Sequence, residues 1–197
     1  MDDTDYAMPE LCAFATRYPG VVAGVLESLD RRQLPQRDRR TWVVPAFRTF
    51  AEYQMAADHL AASDIIVHDE GLAHRCFTMF GYLDEPVPSG EIESYVRLAP
   101  RIDYAVWTDV SPEVSNSRIE QRGLGPPRLW FNGLSTPERV ARLEHGRECL
   151  AAIAMELGNA GVPLLRIDNA LPAEDGNRTI EAWISQIAPQ LRLKPKA

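Results

Sequence analysis

The run Ile65-Ile66-Val67 constrains this chain more than any other stretch, because of what it is made of and what stops it. Three consecutive β-branched residues fit a buried strand of a parallel sheet. The run ends at two carboxylates, Asp69 and Glu70, and Gly71 permits a sharp turn before a helical pattern over Leu72–Phe80. Open α/β sheets bind their ligands at the carboxyl ends of the strands. A carboxylate buried there without a cation or partner is costly, which points to a magnesium ion or a proton-transfer role. The plainer reading is that many strands end in Asp because the chain turns there.

The rest of the chain alternates between the two periodicities. Pro9–Tyr18 and Val21–Arg32 can each form a helix, divided by Pro19-Gly20. Leu34–Arg40 is polar and carries Arg37, Arg39 and Arg40; it reads as a solvated loop or helix end, or as a surface that meets an anionic group. Thr41–Val44 reads as a brief strand or extended linker, ended by Pro45. Over Ala46–Ala62, Phe47, Phe50, Tyr53, Ala57 and Leu60 recur at helical spacing. Pro86 and Pro88 mark Asp84–Ser89 as a loop, and Gly90–Leu98 reads as a short helix ended by Pro100.

Asp103–Asp109 is the second strand. Ser111 is a natural N-cap, Pro112 suits the first helical position, and Glu113 favours the positive helix end. That helix should run to Arg122, with Gly123 past its end. Gly123–Ser135 is a loop bearing Arg128, Trp130 and Phe131. Thr136-Pro137-Glu138 opens another helix, whose stripe includes Val140, Leu143, Leu150 and Ile153 and which Gly158 and Gly161 end. Pro163–Ile167 is a third strand closing at Asp168, and Asn177–Ala188 is a final amphipathic helix. Strands alternating with helices imply an α/β domain with a mostly parallel sheet.

Charge and cysteine content narrow the function classes. A net charge of −7 over 197 residues argues against a broad nucleic-acid-binding face. Cys12, Cys76 and Cys149 are scattered, with no Cys-x-x-Cys spacing, so neither a disulfide framework nor a zinc site is expected and a reducing cytoplasm is the simplest setting. The acidic stretch Met1–Asp5 leads into no long apolar segment, so neither a signal peptide nor a membrane span is expected.

Arg118 and Arg122 are four residues apart on one face of the helix after Asp109, and Arg128 follows in the loop. Guanidinium groups stay charged and bind phosphate oxygens bidentately. Three of them around a loop could close over a polyphosphate and neutralise charge at a transferring phosphoryl group. Taken singly, each arginine is as well explained by the helix dipole and by neighbours such as Glu120.

In this order the features resemble the P-loop kinase superfamily, particularly its thymidylate-kinase and deoxynucleoside-kinase branch. Three pieces carry the resemblance: the strand ending in Asp69-Glu70-Gly71 with Arg75 on the next helix; Tyr104–Thr108 followed by Ser111-Pro112-Glu113, Arg118, Arg122 and Arg128, as in a kinase lid; and Pro163–Asp168, like the last strand beside the nucleotide base. The resemblance implies a three-layer fold, a mostly parallel sheet flanked by helices. It divides the chain into an N-terminal helical segment, 1–45, and a kinase-like region, 46–197, in one domain overall. Asp69 or Glu70 would act as catalytic base, with Asp69 the magnesium partner. Arg75 would hold the phosphoryl acceptor. Arg118, Arg122 and Arg128 would contact the phosphates of ATP, with Arg122 also serving catalysis, and loop Asn169–Asn177 would lie near the base. Thymidylate kinases usually carry Asp-Arg at the strand end, where this chain has Asp69-Glu70.

The superfamily's defining loop is absent. None of the twelve glycines begins Gly-x-x-x-x-Gly-Lys-Ser/Thr, and no Gly-Lys pair occurs. The backbone cradle for the β- and γ-phosphates, the loop lysine and the Ser/Thr ligand of magnesium are therefore missing. The P-loop strand would lie between the strands at Ile65–Val67 and Tyr104–Thr108. Without it those two strands pair directly, another segment fills the gap, or apolar edges stay open for a second copy or a partner. Two origins stay open: an N-terminal segment lacking from the chain, or a degenerate kinase-like protein. The expected function is a nucleoside- or nucleotide-kinase-like phosphotransferase domain acting on a small-molecule acceptor, incomplete without a P-loop. The alternative is a non-catalytic nucleotide-binding or protein-interaction module of that descent; a third reading is a small α/β protein with an accidental resemblance.

Overall fold

The computed structural model describes residues 8–31, 36–61, 64–68, 71–80, 89–122, 131 and 133–191. They form α1 (Met8–Arg17), α2 (Pro19–Arg31), α3 (Gln36–His59), α4 (Leu72–Phe80), α5 (Ser89–Leu98), β1 (Ala105–Asp109), α6 (Pro112–Gln121), α7 (Thr136–Asn159), β2 (Leu164–Asp168) and α8 (Ala173–Leu191). The chain divides into two compact units, one built from α1–α5 and the other from β1, α6, α7, β2 and α8.

The helical unit is organised by aromatic rings on α1 and α3. Phe14 and Phe50 are fully buried and stacked, with centroids 4.6 Å apart and planes 8° from parallel. Tyr53 meets Phe14 edge-on at 6.1 Å. Burying two aromatic rings in such a pair stabilises by several kcal/mol. That explains why α3 runs unbroken through Pro45, which lacks the N–H that a helix interior needs. The expected strand or linker at Thr41–Val44 is therefore helix, and Leu34–Arg40, read as a solvated loop or helix end, is the start of α3 from Gln36. Val21, Val25 and Leu29 recur at i, i+4 and i+8 on the buried face of α2. On the neighbouring turns Ser28 Oγ donates to Glu91 of α5 at 3.3 Å and Arg31 pairs with the same carboxylate at 2.7 Å. Leu72, Cys76, Phe77 and Met79 bury α4, and the Tyr95 hydroxyl donates to the Leu72 carbonyl at 3.1 Å. Burial pushes the Tyr95 phenol well above its ordinary range.

In the second unit β1 and β2 run parallel, Ala105 opposite Leu164 through Asp109 opposite Asp168. Parallel strands need a long crossover, here supplied by α6 and α7. Ser111 caps α6, its Oγ accepting from Val114 N–H at 3.3 Å, with Pro112 at the first position as expected. At α7 the carboxylate of Glu138 accepts from the Ser135 backbone N–H at 2.7 Å and its hydroxyl at 2.6 Å. Gly161, at φ +76°, ends α7, a left-handed position that a side chain would strain. Helix α8 starts at Ala173, four residues earlier than expected, and Ile187 on its inner face is buried.

The three-layer α/β expectation is overturned. Among the described residues eight helices accompany a single two-stranded sheet, so the protein is mostly helical. Ile65–Val67 forms no strand: it pairs with no other strand among the described residues and is exposed. Composition makes a strand permissible, but a neighbouring strand makes it stable, and none pairs with this run among the described residues. Most of the expected loops Asp84–Ser89 and Gly123–Ser135 lies outside the described residues. No described helix is long and apolar enough to cross a membrane.

Candidate functional site

The carboxyl ends of β1 and β2 bring the chemistry of the second unit together. The last residues of the strands, Asp109 and Asp168, lie side by side in register. They differ in surroundings. Asp168 is exposed, and its Oδ1 accepts from Ala170 N–H at 2.8 Å, so it serves the turn after the strand. Asp109 is only 8% exposed and is held by two guanidinium groups. Arg147 of α7 donates to both oxygens, Nε to Oδ1 at 2.9 Å and Nη2 to Oδ2 at 3.2 Å. Arg166 of β2 donates its Nη2 to Oδ2.

The electrostatic consequence follows from this geometry. Hydrogen bonds from Arg147 lower the Asp109 pKa most, burial opposes them, and the bond from Arg166 adds to the lowering; the result is a value of about 2. Asp109 is thus a fixed anion at any ordinary pH. It cannot take up a proton as a general base at neutral pH. Arg166 also lies over the ring of Trp107, on the same strand face, at 4.8 Å from its centroid. The indole Nε1 of Trp107 is buried without a partner among the described residues.

One expected lid arginine reaches this end of the sheet. Arg118 donates Nη2 to the carbonyl of Asn169, the first residue after β2, at 2.7 Å. It joins the last turn of α6 to the loop that the kinase resemblance sets beside the base. Arg122 caps the same helix through its backbone N–H and is exposed. Arg128 lies outside the described residues. A further arginine, Arg139, ties α7 to α6: Nε donates to Asn116 Oδ1 at 2.9 Å, Nη2 to Glu120 at 2.5 Å, and Nη1 to the Leu134 carbonyl at 3.1 Å. Asn116 is buried, and its amide donates to Glu120 at 3.2 Å, so both ends of its side chain are satisfied.

The other expected site residues belong to the helical unit. Asp69 and Glu70 lie outside the described residues, between His68 and Gly71. The His68 ring stacks on Tyr53 at 6.1 Å. A Cβ on Gly71 would come within 2.7 Å of the His68 Cβ, so a glycine is required there. Arg75 donates Nε to the buried Thr49 hydroxyl at 2.7 Å, which holds α4 to α3. Among the described residues no group of three or more His, Cys, Asp or Glu side chains comes together as a metal site would need.

Sequence reading missed the Asp109–Arg147–Arg166 trio. One signal for it was present: Arg166 interrupts the apolar run Leu164-Leu165-Arg166-Ile167, and a charge inside a strand implies a partner nearby. No family model, no curated protein and no solved structure matches the chain.

Proposed function

We propose that this chain handles nucleotide phosphates through the arginines that follow β1, as a kinase-like phosphotransferase region acting toward a small-molecule acceptor. One observation carries the reading. The Arg118 bond to Asn169 draws the arginine-bearing end of α6 to the carboxyl end of the parallel strands, where α/β sheets bind ligands. Exposed Arg122 follows one turn later, and Arg128, outside the described residues, comes six positions further along the sequence. Arginines stay charged in such a position and bind phosphate oxygens in pairs.

The sequence contains no Gly-Lys pair, so in this proposal phosphate recognition rests on guanidinium groups. Asp69 and Glu70 keep the proposed role of base at the acceptor, Asp69 that of magnesium partner, and Arg75 that of acceptor contact. Calorimetric titration with ATP, with and without magnesium, tests the reading. Binding that weakens at least about tenfold in Arg122→Ala, with unchanged circular dichroism, is the expected result. Absence of binding up to about millimolar ATP overturns it. A second reading, a non-catalytic interaction module, is favoured by the exposed apolar run Ile65–Val67.

A further inference from the structure

Asn169 is the first residue past the carboxyl end of β2, and both of its backbone groups are held. Its N–H donates to the Asp109 carbonyl at 2.7 Å, and its carbonyl accepts from Arg118 Nη2 at 2.7 Å. The partners are fixed in turn. Arg147 and Arg166 grip the Asp109 carboxylate, and Arg139 ties α6 to α7 through Asn116 and Glu120. Beyond Asn169, Ala170 N–H donates to Asp168 Oδ1 at 2.8 Å and Leu171 N–H to the Asp168 carbonyl at 3.4 Å. All of these residues belong to the second unit. The Asn169 side chain differs from its backbone: its amide makes no hydrogen bond among the described residues. An amide carries a donor beside an acceptor. Set on a backbone that is already ordered, it can meet a ligand edge with little further loss of freedom.

We infer that Asn169 reads the adenine edge of a nucleotide whose phosphates lie on the arginines of α6, and that Arg118 is the positioning residue that holds it there. The inference rests on the phosphate reading above and adds the residue that recognises the base. Ligands of α/β sheets lie in the crevice outside the carboxyl ends of the strands, and Asn169 is the residue that β2 delivers to that crevice. Arg122 follows Arg118 by one helical turn, ~5.4 Å along α6. A nucleotide reaching from Arg122 to Asn169 therefore crosses the end of the sheet. Adenine presents the N6 amine as a donor beside the N7 acceptor, and an asparagine amide meets both at once. Its Oδ1 accepts from N6 while its Nδ2 donates to N7. The Arg118 bond to the Asn169 carbonyl makes the two ends of the site one piece: the helix that carries the phosphate arginines also fixes the backbone of the base reader.

Calorimetric titration of the full chain with ATP, with inorganic tripolyphosphate and with purine riboside triphosphate, which lacks the N6 amine, tests it. The native chain should bind ATP at least about tenfold more tightly than tripolyphosphate. Asn169→Ala should cut that advantage about tenfold, by weakening ATP alone. Asn169→Asp, which keeps the shape but loses the donor, should do the same, whereas a purely structural role in the turn would survive it. The Asn169→Ala change should weaken purine riboside triphosphate less than ATP, because one of the two bonds is already missing. Arg118→Ala should also shrink the advantage of ATP over tripolyphosphate, and Arg118→Lys, which keeps a donor for the carbonyl, should recover part of it. A native chain that binds tripolyphosphate as tightly as ATP overturns the inference and leaves the phosphate reading standing. So does an ATP advantage that Asn169→Ala, Asn169→Asp and Arg118→Ala leave intact. A native chain that binds neither probe overturns both. Circular dichroism checks each fold; Asn169→Ser replaces any Asn169 variant that loses it.

Discussion

Replacing Asp109 by Asn removes one charge and almost no volume, so its effect isolates the ion trio at the end of β1. The native carboxyl is held at a pKa of about 2 against an ordinary 3.8. At about 1.4 kcal/mol per pKa unit, that difference is worth about 2 kcal/mol at neutral pH. The Asp109 side chain is 10% exposed and its partners Arg147 and Arg166 are 38% and 57% exposed. Solvent therefore softens the repulsion left between the two arginines, and the loss should stay below the 3–5 kcal/mol of a fully buried pair. Because the folded pKa is depressed, the stabilisation is fully present above the unfolded pKa and disappears as pH falls through the folded one. The gap between the native chain and Asp109→Asn should be about 2 kcal/mol at neutral pH, roughly half that near pH 3, and small near pH 2. Urea titrations followed by circular dichroism, repeated along this pH series, measure it. A gap below about 0.5 kcal/mol at neutral pH, or one that does not change with pH, would refute the reasoning.

Other perturbations probe the remaining contacts. Arg139→Ala strips the buried Asn116 carbonyl oxygen of its donor and Glu120 of its ion-pair partner and should cost about 1–3 kcal/mol in urea unfolding. Phe50→Ala removes a fully buried ring stacked on Phe14 and should cost about 3–5 kcal/mol, read as a lowered denaturation midpoint with unchanged slope. Gly71→Ala forces a Cβ against that of His68 and should destabilise by about 1–3 kcal/mol, with faster amide exchange around α4 as its local signature. Ser111→Ala removes the side-chain acceptor at the start of α6 and should cost about 1 kcal/mol, visible as a lower thermal midpoint.

Helices were readable from the sequence wherever their determinants lie within a few residues of one another. Ser111-Pro112 opening α6, Thr136-Pro137-Glu138 opening α7, Gly161 ending α7 and the aromatic spacing of α3 are all relations between near neighbours, although the cap of α7 is Ser135, one residue before the expected start. The strands Ala105–Asp109 and Leu164–Asp168 were readable for a similar reason: short apolar runs bounded by breakers. The same local rule misjudged Ile65–Val67, because a strand is completed by a ladder partner supplied from elsewhere. It misjudged Thr41–Val44 because burial of Phe50 against Phe14 outweighs the hydrogen bond that Pro45 cannot donate.

The candidate site divides in the same way. Arg118 and Arg122 share a helix face by spacing alone, and the sequence sets that. The bond of Arg118 to Asn169 spans 51 positions, and the grip of Arg147 and Arg166 on Asp109 spans 38 and 57. Contacts of that reach exist only after α7 has carried the chain back to lay β2 beside β1. By itself the sequence determined the local elements, their caps and the charges available. The tertiary structure alone decided which carboxylate is buried between two arginines, because burial and pairing depend on distances that separation along the chain does not encode.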